Sequence, residues 1–240
     1  MHVPDGFLDV PTSVATGAVA VAGVALALRG ARRELDDRTV PMTGLVAAFV
    51  FATQMLNFPV GAGTSGHLLG GALAAILVGP WTGVLCLSVV LLVQSLLFAD
   101  GGITTLGTNI TLMGLVGVLV GWLVFRGLQA VLPKRVELVP VQAGVAALAS
   151  VPVAALAFVG LYAVGGQAPV PLDALAATMV GVHLLIGLGE AAITLLVVGS
   201  VISVRPDLVY GARRVLADKA LEVRNPNPAT PATTTPGPSA

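Results

Sequence analysis

The placement of twelve Lys and Arg residues constrains this chain more than any other feature. They fall in three groups: Arg29, Arg32, Arg33 and Arg38; then Arg126, Lys134 and Arg135; then Arg205, Arg213, Arg214, Lys219 and Arg224. Apolar stretches at about 12–28, 41–58, 67–80, 82–98, 106–125, 140–164 and 174–204 contain none of them. About 20 residues of helix cross the hydrocarbon core of a bilayer, so these stretches are candidate crossings. Whether 67–98 is one crossing or two decides the topology. Pro80, within Gly79-Pro80-Trp81, has no amide hydrogen to donate and breaks a continuous helix. An unbroken 67–98 helix puts the basic groups on both sides of the membrane; a break at Gly79-Pro80 gathers all twelve on one. The positive-inside rule makes that side cytoplasmic. The N-terminus and the loops 59–66, 99–105 and 165–173 then face outward. The stretch 67–80 is short for a full crossing, so it starts within the 60s or is partly re-entrant. No run alternates as the ten-residue strands of a membrane barrel do. The expected fold is all-α: a polytopic membrane bundle of about seven transmembrane helices, N-terminus outside.

Composition agrees. Charged residues make up 10% of the chain and the mean hydropathy is +0.95, whereas a soluble domain carries about 25% charged residues. A soluble enzyme or nucleic-acid binder is excluded on that ground. The start of the chain carries Asp5 and Asp9 and no cation, unlike the positive start of a signal peptide. Cys86, the lone cysteine, excludes a disulfide framework and reads as a small buried hydrophobe. Gly114, Gly117 and Gly121, and Ala18 and Ala22, put small residues at helix-packing spacing, for packing inside the bundle or, on the first span, against another membrane subunit. We expect one transmembrane domain over 1–204, a cytoplasmic basic segment over 205–224 and a disordered Pro/Thr/Ala-rich tail over 225–240.

The sequence holds three histidines, His2, His67 and His183, and the first two fall on the outer side. His67 follows the flexible run Gly61-Ala62-Gly63-Thr64-Ser65-Gly66. His2 stands next to the α-amino group of Met1. An amine, the His2 amide nitrogen and the His2 imidazole can chelate one metal in fused rings, and a second imidazole from His67 can fill a fourth position; on spacing alone His2 also reads as an exposed N-terminal side chain. Four nitrogens in a plane suit Ni(II) or Cu(II); zinc prefers a tetrahedral set and calcium oxygen ligands. Metal-bound imidazoles usually donate their other N–H to an oxygen. Thr64, Ser65, Thr104, Thr105 and Asn109 are outward-side candidates for that role, or for capping helices and loops.

Met1-His2-Val3-Pro4-Asp5-Gly6-Phe7-Leu8 resembles the Met-His-x-x-(Asp/Glu)-Gly-Phe-Leu start of the cobalt/nickel substrate-specificity subunits of energy-coupling-factor transporters. Asn57-Phe58-Pro59 with Thr64-Ser65-Gly66-His67-Leu68-Leu69-Gly70-Gly71, then Gly79-Pro80, then Gly101-Gly102-Ile103-Thr104-Thr105-Leu106-Gly107-Thr108-Asn109 are similar to later signatures of that family. The likeness is strong over about 1–125 and looser to about 204. Val3-Pro4 departs from the Ile-Met common there. The resemblance implies that residues 1–10 insert into the bundle, and that the Met1 amine, the His2 amide and imidazole, and His67 hold the metal. It also implies a transmembrane coupling subunit, two cytoplasmic ATPase subunits and often a small extra membrane subunit, all in a prokaryotic cell membrane.

Glu190 is the only acid deep in an apolar stretch, and His183 lies seven residues, about two turns, before it. Intramembrane carboxyls point to function and need a partner. His183, Gln54 and Gln94 are candidate partners, in a proton relay or an interhelical strut. No Gly-x-x-x-x-Gly-Lys-(Ser/Thr) run occurs, so ATP hydrolysis is expected on partner chains and not here. The expected function is capture of Ni(II) or Co(II) as a transported substrate, with no organic cofactor and no nucleic acid. The rival reading is a proton-coupled secondary carrier using His183 and Glu190.

Overall fold

A computed structural model describes residues 1–36, 39–61 and 64–224; the expected disordered tail 225–240 lies outside the described residues. The chain is mostly helical. Its helices are α1 (Val10–Ala31), α2 (Thr39–Gln54), α3 (Gly71–Val78), α4 (Pro80–Leu97), α5 (Leu106–Val131), α6 (Val139–Gly165), α7 (Leu172–Val204) and α8 (Arg213–Arg224). Five helical stretches are long and apolar enough to cross a membrane: α1, α4, α5, α7 and Val136–Gly165, which contains α6. The 16-residue α2 is a shorter apolar helix, and α3 has only 8 residues, about 12 Å of rise. One feature differs from the all-helical expectation. Residues read as a plain loop form an antiparallel hairpin, β1 (Phe58–Gly61) with β2 (Thr64–Gly66), irregular between Pro59 and Gly61.

The helix boundaries follow from local chemistry. Asp9 caps α1, its Oδ1 accepting the Thr12 N–H at 2.8 Å. The break at Gly79-Pro80 separates α3 from α4, and Gly79 adopts φ +101°, a conformation that L side chains rarely adopt. A Cβ there would also lie 2.5 Å from Glu34 Oε2. Glu34 occupies that space because it caps α4, accepting from Thr82 N at 2.7 Å and Trp81 N at 3.2 Å. Carboxylates are favoured at helix N-termini, where the unpaired N–H groups and the helix dipole converge.

All eight residues of α3 are buried, so the short helix is the axis around which the longer ones pack. Its close neighbour is α5. A Cβ on Gly121 would stand 2.6 Å from Ala72 Cβ, and one on Gly71 would stand 2.9 Å from the Gly117 carbonyl carbon. All three expected packing glycines on this helix, Gly114, Gly117 and Gly121, are buried, as internal packing requires, while Ala18 and Ala22 on α1 are exposed. Gly121→Leu is expected to lower the thermal midpoint of the purified protein, at a cost of about 1–3 kcal/mol from overpacking. Thermal unfolding beside Gly127→Leu, at an open position with nothing within 4 Å of its Cβ, checks this.

The basic groups meet at one end of the bundle. Arg213 donates to Glu34 O at 3.4 Å and Asp36 Oδ2 at 3.3 Å, and lies over Tyr210. Lys134 pairs with Asp218 at 2.8 Å, and Arg126 and Arg214 line one cavity. At the opposite end Asn57 meets Asp100, Leu8 bridges to Gly166, and Asp5 meets the 103–104 turn. The molecule is strongly sided although its net charge is zero.

Candidate metal centre

At the end away from the basic groups, residues 1–3, 7 and 8 are buried in the bundle, and Pro4, Asp5 and Gly6 turn at its surface. Met1 and Val3 are 0% exposed and His2 is 5% exposed. The segment is held by its backbone. Val3 N–H donates to Asn109 Oδ1 at 2.7 Å, and Val3 O accepts from Thr105 Oγ1 at 2.6 Å, Gly102 N at 3.0 Å and Asn109 Nδ2 at 3.2 Å. Asp5 accepts from Thr104 N at 2.8 Å, from the Thr104 hydroxyl and from Ile103 N at 3.3 Å, which hold its carboxyl below the usual range. Asp9 N donates to Gly165 O at 2.7 Å, Gln167 N donates to Phe7 O at 3.0 Å, and Phe7 packs on Phe158 and Tyr162. The Gly101–Asn109 stretch, read from sequence as a source of imidazole partners, thus grips the main chain beside His2. Ser65 sits on β2, and no hydrogen bond joins it to a ring; the side chain of Thr64 lies outside the described part of the structure.

The His2 and His67 rings stack, with centroids 4.4 Å apart and planes 28° from parallel. His67 is 0% exposed; its Nδ1 meets Leu68 O at 2.8 Å, which fixes the proton there and leaves Nε2 a lone pair with no partner. The His2 ring has an oxygen beside each nitrogen: Nε2 meets Gln94 Oε1 at 3.2 Å, and Nδ1 faces Asp100. That Nδ1 lies 3.0 Å from Asp100 Oδ1, off the axis of a hydrogen bond. A lone pair and a carboxylate oxygen this close repel unless a proton or metal ion stands between them. Nδ1 is also the nitrogen that closes a six-membered ring with the His2 amide.

Burial prepares these nitrogens to be neutral. It pushes the Met1 amine down to about 4, against the attraction of Asp100. Burial likewise lowers His2, opposed by its contact with Asp100, and lowers His67 well below the ordinary imidazole value, helped by the nearby amine. Burial pushes the Asp100 carboxyl up, but the His2 contact and the Asn57 hydrogen bond outweigh it and hold it low. Among the described residues no three His, Cys, Asp or Glu side chains gather to hold a metal. The main-chain nitrogens of the same buried segment are the Met1 amine and the His2 amide.

His183 and Glu190 are both buried on α7, but they are not hydrogen-bonded to one another. His183 Nδ1 meets Met179 O at 2.8 Å. Glu190 spends both oxygens on backbone, accepting from Leu69 N at 2.6 Å and Gly70 N at 3.0 Å. This corrects the expected partners of Glu190: it is a strut, and it braces the strap that carries His67. Gln54 reaches the same strap, its Nε2 donating to Leu69 O at 2.7 Å, and Gln94 serves His2. Asp100 escaped the sequence reading altogether. Its one signal there was position: an acid immediately before the Gly101-Gly102 signature, in a loop without cations.

Residues 2–208 match the family model described as cobalt uptake substrate-specific transmembrane region. A protein of Haloquadratum walsbyi named as a metal transport protein is 38% identical over 210 residues, covering 88% of this chain and 94% of its own. One of Archaeoglobus fulgidus, named as a fused nickel transport protein, is 37% identical over 209 residues, covering 87% of this chain and 68% of its own. Among solved structures, the crystal structure of a truncated transition metal transporter superposes with a TM-score of 0.78 at 30% identity, covering 85% of this chain and 99% of that one.

Proposed function

The chain belongs to the cobalt uptake substrate-specific transmembrane family, and from that premise we propose that it is the specificity subunit of an energy-coupling-factor importer for Ni(II) or Co(II). It is a multi-pass membrane component of cobalt or nickel transport. The finer reading adds the short α2 and α3 to the five long crossings, giving about seven membrane segments with the N-terminus outside. The basic end faces the cytoplasm of a prokaryotic cell. One observation carries the reading: beside a fully buried Met1 amine lie two stacked imidazoles, with His67 Nε2 lacking a partner and His2 Nδ1 facing the Asp100 carboxylate at 3.0 Å.

The chemistry follows from those groups. The Met1 amine, the deprotonated His2 amide, His2 Nδ1 and His67 Nε2 replace water around the ion. Asn109, Thr105 and Gly102 hold the Val3 backbone next to the two chelate rings, and Gln94 orients the His2 ring. The family resemblance supplies the rest. Partner ATPases provide energy, a coupling subunit moves this one, and the exposed small residues of α1 and the basic end are the surfaces on which such partners dock. Glu190 is fully engaged with backbone, so no observation favours a proton-coupled carrier that works alone. Radiolabelled nickel or cobalt uptake tests this: uptake only with the coupling and ATPase subunits supports the reading, and uptake by the chain alone, lost in Glu190→Gln, overturns it.

The lowered pKa values set the pH dependence. The amine and both imidazoles are neutral at pH 7 because their charged forms are disfavoured by burial. The amide still carries its proton and must release it to bind metal. Between pH 8 and 6.5 the affinity is therefore expected to fall about tenfold per pH unit, one proton per ion. It steepens only once the pH falls below the lowered pKa values of the imidazoles, where protons begin to hold those rings. Calorimetry in buffers of different ionisation enthalpy counts that proton; a count of zero at pH 7.5 contradicts amide ligation.

A further inference from the structure

His67 does not stand on a helix. It begins the strap His67–Gly70, which joins β2 to α3, and side chains from two distant helices fix that strap. Glu190 of α7 takes the N–H groups of Leu69 and Gly70, at 2.6 and 3.0 Å. Gln54, the last residue of α2, takes the Leu69 carbonyl at 2.7 Å. The Leu69 peptide groups are thus held from both sides. Gly70 completes the turn at φ +75°, and a Cβ there would strike Val50 at 2.8 Å. Glu190 is 2% exposed, and among the described residues no cation pairs with it. The Leu69 and Gly70 N–H groups, just ahead of the α3 N-terminus, are the donors that its carboxyl meets.

We propose that Glu190 is a positioning residue for the metal: through Leu69 and Gly70 it sets where His67 Nε2 meets the ion, and so links α7 to the fourth ligand. This rests on the reading of His67 as a ligand. A carboxylate that merely caps a helix does none of this, and the molecule contains the control. Glu34 is 3% exposed and caps α4 through Trp81 and Thr82 at the basic end, with no contact to the strap.

The test compares Glu190→Gln, Glu34→Gln and His67→Ala in the full chain loaded with Ni(II), read by thermal midpoint, affinity and the nickel ligand-field absorption band. Glu190→Gln is expected to shift the band and weaken nickel binding about 10–100-fold, the usual cost of disturbing a group that orients a ligand. Glu34→Gln is expected to lower the thermal midpoint and leave the band in place. An unshifted band in Glu190→Gln, or an equal shift in Glu34→Gln, overturns the proposal. If His67→Ala leaves the band where it was, His67 is no ligand, and both the proposal and the reading beneath it fall. Should Glu190→Gln not fold, Gln54→Met, which releases the strap from its other side, decides by the same band.

Discussion

A cleavable extension in front of Met1 is expected to abolish tight nickel and cobalt binding, and its traceless removal to restore it. Met1 is 0% exposed, and the Val3 peptide two residues on is fixed by four hydrogen bonds from Gly102, Thr105 and Asn109. The segment has no slack with which to admit further residues. An extension also moves the amine away from the His2 amide and so removes the five-membered ring. Together these are expected to cost at least about 10³-fold in affinity, about 4 kcal/mol. Isothermal titration of extended and cleaved protein reads the effect. Full affinity with the extension in place is the contrary result.

The second large effect is expected from His67→Ala. In the proposed site it removes the one ligand that does not come from the first two residues, leaving three donors and a water. The loss is expected to be about 10²-fold or more, roughly 3 kcal/mol. It differs from the extension in kind, because stoichiometry should stay at one ion per chain while the absorption spectrum changes. Competition against a chromophoric chelator measures both, and an affinity within error of the unaltered protein is the contrary result. The truncation also opens a cavity beside the His2 ring and leaves Leu68 O without its donor, so the thermal midpoint of the metal-free variant is measured alongside.

The sidedness of the molecule was legible because charge and apolar run length act over whole segments. The three basic groups that predict one face do meet at one end, and Gly79-Pro80 does divide α3 from α4, since a residue without an N–H cannot continue a helix. The Met1-His2 and His67 signatures were legible as motifs with a chemistry of their own. Contacts between a side chain and remote backbone were not. Glu190 signals only that it needs a partner; that the partner is the N–H of Leu69, 121 residues away, leaves no mark on residue type. Asn109 and Thr105 were recognised as polar residues near the site, but their target, the Val3 peptide, is equally silent in sequence. The hairpin Phe58–Gly66 was missed because it is short, glycine-rich and lacks alternation.

The central claim is that one transition-metal ion sits between the Met1–His2 main chain and two imidazoles. X-ray absorption at the nickel edge of the loaded, unextended protein addresses it most directly. The account predicts four nitrogen neighbours in a planar set, with the outer-shell scattering of two imidazole rings, falling to one ring in His67→Ala. A six-coordinate, oxygen-rich shell, or two rings persisting after His67 is removed, contradicts it.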